Sequence, residues 1–222
     1  MKKIILSLII ILVSAFILLA EETEVVVPKL ISSDIISGEL KADLKKIITI
    51  IPVGEEHQYG FTDRKQFDKV ELGTVFQILT PIPDLSPVQY LPPEKAWRPN
   101  GLLKVAVSIN SEYRSLLRVE KKDGKYRGIS LGEPELAKEL NDLNKKYGFN
   151  NFKNPTRIVS IEKIASDFLI IPDDTLSMDD SKIYPLESAR KVFGKKIKHK
   201  GRLSKVIKAY HPIMIKYIQG VD

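Results

Sequence analysis

Between Leu102 and Leu131 the residues alternate with a period of two over most of their length, and turn residues stand at Asn110-Ser111 and at Asp123-Gly124. A period of two is the signature of a half-buried strand, so each of these pairs is a place where the chain reverses. Val105, Val107 and Ile109 alternate with Lys104, Ala106 and Ser108. Tyr113, Ser115, Leu117 and Val119 alternate with Arg114, Leu116, Arg118 and Glu120. Asp123-Gly124 supplies the positive φ angles that tight hairpin turns require, and Tyr126 to Leu131 returns as a third strand. Pro134 then opens a helix where its missing N–H costs nothing. Leu136, Leu140, Leu143 and Tyr147 fall on one helical face, and Gly148 closes the helix. This segment predicts a three-stranded antiparallel meander followed by a packed helix.

The flanking segments are read from the same periodicities. Leu40, Leu44, Ile47, Ile48 and Ile51 recur at helical spacing, predicting an amphipathic helix from about Asp34 to Ile51, with Ser33 or Asp34 as its cap and Pro52 beyond its end. Val70 to Thr80 predicts a strand covered on both faces. Six prolines between Pro81 and Pro99 predict a loop or strap over 80–100, not an element interior. Arg157 to Ile161 and Asp167 to Ile171 read as strands, Pro185 to Phe193 as a short helix. A helix is expected over Gly201 to Tyr210 and again over Ile213 to Ile218. The expected class is α+β: an antiparallel sheet with the 102–131 meander at its centre and helices packed on one face.

At the start, Met1-Lys2-Lys3 precedes Ile4 to Ala20, which carries no charge, and Glu21-Glu22 follows at once. This is the layout of a bacterial secretory signal peptide, residues 1–20, with cleavage after Ala20 preferred over Ala15. An uncleaved anchor competes, since Ile4 to Ala20 makes 17 residues against the roughly 20 that a spanning helix needs. Attachment as a lipoprotein needs a cysteine, and the chain has none. The expected address is therefore periplasmic, extracellular or membrane-anchored through residues 4–20. The remainder, 21–222, is expected to form a single domain. Disulfides persist outside the cytoplasm, yet none is available, so the core alone must hold the fold. Hydrophobic residues at 43% and charged ones at 28% suit a water-soluble domain.

No motif specifies a reaction. Gly128-Ile129-Ser130-Leu131-Gly132 matches the G-x-S-x-G pattern of serine hydrolases, and Asp173, Asp174, His199 and His211 follow in the chain order such enzymes use. A nucleophile elbow, however, sits between a buried parallel strand and a helix, whereas Ser130 follows an Asp-Gly hairpin. Ser160-Ile161-Glu162-Lys163 lacks the helix start and the partner motifs of penicillin-recognising enzymes. Glu55, Glu56, His57 and Asp63 form the best local cluster of groups suited to general-base or weak metal-ligand work. No closely spaced histidine pair or thiolate marks a metal site, Asp173, Asp174, Asp179 and Asp180 lack the spacing of a calcium loop, and no cofactor motif is present. An exported serine-type or metal-assisted hydrolase using Ser130 with His199 or His211, or the His57 cluster, is the alternative reading.

One electrostatic feature stands above the background. From Ser188 to Val221 there are ten basic residues and no acidic one, while the whole chain is only +7. The run includes Lys195, Lys196, Lys198, Lys200 and Arg202. Charge of one sign in a terminal segment suits an anionic partner: a membrane surface, a cell-wall polymer or an acidic protein. Nucleic acid fits the charge but not the leader. Trp97, at the end of the proline-rich strap, is a second candidate contact; such a ring equally well closes a core. The leading expectation is an exported, non-enzymatic binding protein that docks through this tail.

Overall fold

The computed structural model describes residues 35–81, 97–149, 155–161, 165–172, 181–194 and 201–202, the side chains of Pro81, Gly201 and Arg202 excepted. The chain folds as α+β around a mostly antiparallel sheet. In chain order the elements are α1 (Gly38–Thr49), two short 3-10 turns (Glu56–Tyr59 and Arg64–Lys69), β1 (Glu71–Pro81), β2 (Trp97–Ile109), β3 (Glu112–Lys122), β4 (Lys125–Gly132), α2 (Pro134–Tyr147), β5 (Arg157–Ile161), β6 (Ser166–Ile171), β7 (Lys182–Pro185), α3 (Glu187–Phe193) and β8 (Gly201–Arg202). The eight strands lie side by side in the order β4-β3-β2-β1-β5-β6-β7-β8.

Two features of this order correct the sequence expectation. The strands β2, β3 and β4 pair antiparallel in succession, but at one end of the sheet, with β4 as an edge; the meander is not central. The sheet is also mixed. β1 pairs parallel with β5, setting Gln77, Ile78 and Leu79 opposite Arg157, Ile158 and Val159. The chain leaves β4, passes through α2 and rejoins the sheet beyond β1, which makes the parallel pairing possible.

The expectation of helices on one face is corrected too. Adjacent residues of a strand point to opposite faces, and β3 buries both: Leu117 joins Val105, Val107 and Val119 in one cluster, Leu116 joins Ala106 and Phe76 in the other. The first cluster takes Leu40, Leu44 and Ile48 of α1, the second Ala137 and Leu140 of α2. The two helices therefore cover opposite faces, because a sheet apolar on both sides must be covered twice. Each fully buried leucine removes enough apolar area from water to contribute about 2 kcal/mol.

Local chemistry sets the helix ends. Ser37, not Ser33 or Asp34, is the N-cap of α1, its hydroxyl accepting from the Leu40 N–H at 3.2 Å. Gly148 ends α2 in the left-handed conformation at φ 64°, and its N–H donates to the Asn144 carbonyl. Helix α3 has no capping side chain of its own; Glu139 of α2 accepts the Glu187 N–H at 2.9 Å and pairs with Arg190 at 2.7 Å. Two other expectations change. Trp97 to Asn100 begin β2, so the strap's C-terminal end is a strand, and Pro99 is tolerated opposite Leu79 where the pairing is irregular. Gly201–Arg202 is not helical but pairs with Ile183 and Lys182, using backbone groups that β7 would otherwise leave open. Residues 1–34, 82–96 and 203–222 lie outside the described residues, and with them the leader and the rest of the expected C-terminal helices.

Candidate functional site

The G-x-S-x-G residues lie on the edge strand. Ser130 is exposed on β4, its neighbour across the ladder being the exposed Arg118. Between the pairs Arg118–Ser130 and Val119–Gly128 the register shifts, so Ile129 is the extra residue of a bulge and is 42% exposed. Gly128 has a packing role. A side chain there would begin 3.3 Å from both the Asp43 Cβ and a Leu117 methyl, so glycine is what lets α1 lie close against the strand. Its N–H donates to the Asp43 carboxylate at 3.2 Å. Ser130 thus sits on an antiparallel edge strand, not at a strand-to-helix elbow, and the motif's first glycine answers to helix docking.

The His57 turn is held from beneath. Glu56 is buried under it, accepting the Gly54 N–H at 2.8 Å and the Arg64 guanidinium at 3.3 Å. Its carboxyl is held below the usual carboxylate range, first by its own backbone N–H and further by Gly54 and Arg64, against the opposing effect of burial. Arg64 also donates to the carbonyls of Ile51 at 3.0 Å and Thr49 at 3.3 Å, satisfying the end of α1. Gly60 closes the turn at φ 86°, where a Cβ would lie 2.0 Å from the Arg114 carbonyl oxygen. Only glycine fits this approach. His57 itself is exposed, Glu55 is half-buried, and Asp63 caps the next turn through the Lys65 N–H at 2.8 Å.

The first of these turns packs beside β4, but no hydrogen bond joins His57 to Ser130 among the described residues. His199, His211, Asp173, Asp174, Asp179 and Asp180 lie outside those residues. No group of three or more histidine and carboxylate side chains gathers at one point among the described residues.

Of the basic run, Lys195, Lys196, Lys198 and Lys200 lie outside the described residues, and Arg202 is placed by its backbone alone, in β8. Its first two members are paired: Arg190 with Glu139, and Lys191 with Glu187 at 2.9 Å. Trp97 is buried, 7% exposed, and its indole N–H has no hydrogen-bond partner among the described residues. Its position is that of a core ring.

Two features are invisible in the periodicity. On the α2 face, the Tyr184 and Tyr147 hydroxyls bond to each other, and burial followed by that bond pushes the Tyr184 phenol well above its usual range. At the end of α1, Ile50 and Val53 are 79% and 82% exposed. Ile50 falls off the apolar stripe that carries Ile47, Ile48 and Ile51, which is the only sign of its exposure in the sequence. Among the described residues no helix is long and apolar enough to cross a membrane. Comparison with protein-family models, with curated proteins and with solved structures gives no match.

Proposed function

We propose that this chain is an exported, non-enzymatic binding protein of the bacterial envelope or exterior, docking on an anionic surface through its basic C-terminal region. The observation that carries the proposal is the run of ten basic residues and no acid between Ser188 and Val221. Two of them, Arg190 and Lys191, serve α3 by pairing with Glu139 and Glu187. Of the eight that follow, the docking charge is assigned above all to the densest group, Lys195, Lys196, Lys198, Lys200 and Arg202. A basic side chain near an anionic bilayer contributes about 1 kcal/mol, so five acting together suffice for reversible attachment. The charge-free stretch Ile4–Ala20 after Lys2-Lys3 supports export, and export disfavours nucleic acid as the partner.

The reading is tested by sedimenting the chain with vesicles of anionic or neutral phospholipid, alongside a variant carrying Gln at those five positions. Binding to anionic vesicles alone, markedly weakened in the variant, is expected. Equal binding by both forms removes the tail from the account.

A further inference from the structure

The tip that follows α1 carries exposed apolar side chains on a segment anchored in the core. Ile50, Pro52 and Val53 project from one short segment, and Ile50 and Val53 are 79% and 82% exposed. Between them Ile51 is buried, 4% exposed, and anchors the segment in the core. Two large apolar side chains exposed close together on an anchored tip form a small apolar patch that suits an apolar partner.

Much of the tip's backbone is satisfied from within. Arg64 takes the carbonyls of Thr49 and Ile51, Glu56 takes the Gly54 N–H, and Pro52 has no N–H to place. The N–H groups of Ile50, Ile51 and Glu55 donate to the carbonyls of Ile47, Ile48 and Pro52. Arg64 and Glu56 also neutralise each other. Polar groups that keep their partners lose little on leaving water, the condition that limits which backbone enters a membrane. One turn back on α1, Lys45 and Lys46 are exposed, so cations flank the apolar tip at the height of lipid headgroups.

We infer that Ile50, Pro52 and Val53 insert into an anionic phospholipid bilayer, with Lys45 and Lys46 on its headgroups, as a second contact beside the basic tail. The inference rests on the docking reading above and names the surface as lipid. Apolar tip and flanking lysines together match a bilayer, whereas a cell-wall polymer offers only the charge.

Because the chain has no cysteine, one can be introduced and labelled alone. A polarity-sensitive fluorophore is attached at Val53→Cys, or at Asp123→Cys as control. α1 runs alongside β4, with Glu39 pairing with Lys125 and Asp43 with Arg127, so the Asp123-Gly124 turn lies toward the opposite end of the helix from the tip. The full chain is produced with its own leader, recovered as the host exports it, and mixed with vesicles of phosphatidylglycerol and phosphatidylcholine. The expected result is a blue shift at position 53 and none at 123. The unlabelled Ile50→Ser/Val53→Ser variant is expected to bind about tenfold more weakly, with the loss persisting in high salt. A chain that sediments with the vesicles while position 53 stays water-like, or shifts no more than position 123, overturns the tip and leaves the tail reading standing. A shift at 53 with vesicle affinity undiminished by neutralisation of the tail keeps the tip and removes the tail. Failure of every form to bind overturns both.

Discussion

The carboxylate of Asp43, buried on α1, accepts the backbone N–H of Gly128 on the edge strand β4 at 3.2 Å. The same carboxylate is gripped by the Arg127 guanidinium at 2.9 and 3.0 Å. A strand edge leaves N–H groups that invite pairing with another chain. Here one of them is taken by a helix side chain, and the helix itself shields the strand. The contact ties residues far apart in sequence and explains why a glycine stands at 128.

Asp43→Ala is therefore expected to destabilise the fold by about 1–2 kcal/mol, since it leaves a partly buried N–H without its acceptor and unpairs a half-exposed guanidinium. Asp43→Asn, which keeps an acceptor for Gly128, is expected to lose less. Urea unfolding of the three forms measures the difference. Greater self-association of the alanine variant is expected as well, because the edge of β4 is then open.

Gly128 and Ser130 of the G-x-S-x-G match should respond differently to substitution. Gly128→Ala sets a methyl 3.3 Å from Asp43 and Leu117, so that these must give by a few tenths of an ångström, and mild overpacking of this kind is expected to cost about 1 kcal/mol. Ser130→Ala, on an exposed edge position, is expected to change stability by less than about 0.5 kcal/mol and to leave vesicle binding unaltered. Thermal unfolding and sedimentation of both variants check this. A hydrolytic activity that is lost with Ser130 would instead restore the catalytic reading.

Acid should weaken the turn beneath His57. The Glu56 carboxyl is lowered from its ordinary value of 4.5 by its own N–H, Gly54 and Arg64. A group depressed in the folded state contributes stability above its unfolded value, and loses it as pH falls through the folded value. Glu39 and Glu187 are lowered in the same direction by Lys125 and Lys191, but they are exposed. Comparing the protein with Glu56→Gln isolates the buried group. At neutral pH the variant is expected to be the less stable, and the gap is expected to close as pH drops below about 4.5. Denaturant midpoints measured across that range test it.

Which parts of this fold can be read from sequence follows from the reach of each signal. Periodicity and turn chemistry are local, so the strands about Asn110-Ser111 and Asp123-Gly124, and the helix between Pro134 and Gly148, are marked by their own residues. Strand order is not local. Nothing in Gln77–Leu79 or Arg157–Val159 announces that they pair, since both are simply apolar runs that any neighbour would suit. The distribution of helices was legible in principle: Leu116-Leu117 and Val75-Phe76 put adjacent apolar residues on opposite faces, which demands cover on both sides. The candidate sites depend still more on distant contacts. Glu56 reads as a solvated acid until Arg64 is seen to close over it, and Gly128 reads as a motif glycine until Asp43 is seen against it. The basic tail is legible only as charge.

The central claim is that this charge docks the protein, and its most direct test is the salt dependence of vesicle binding. The screening length falls from about 10 Å at 0.1 M salt to about 3 Å at 1 M. Affinity for anionic vesicles is expected to fall steeply over that range for the chain as it stands. It should be weaker and far less salt-sensitive when Lys195, Lys196, Lys198, Lys200 and Arg202 are Gln. Two salt curves of equal slope would contradict the account.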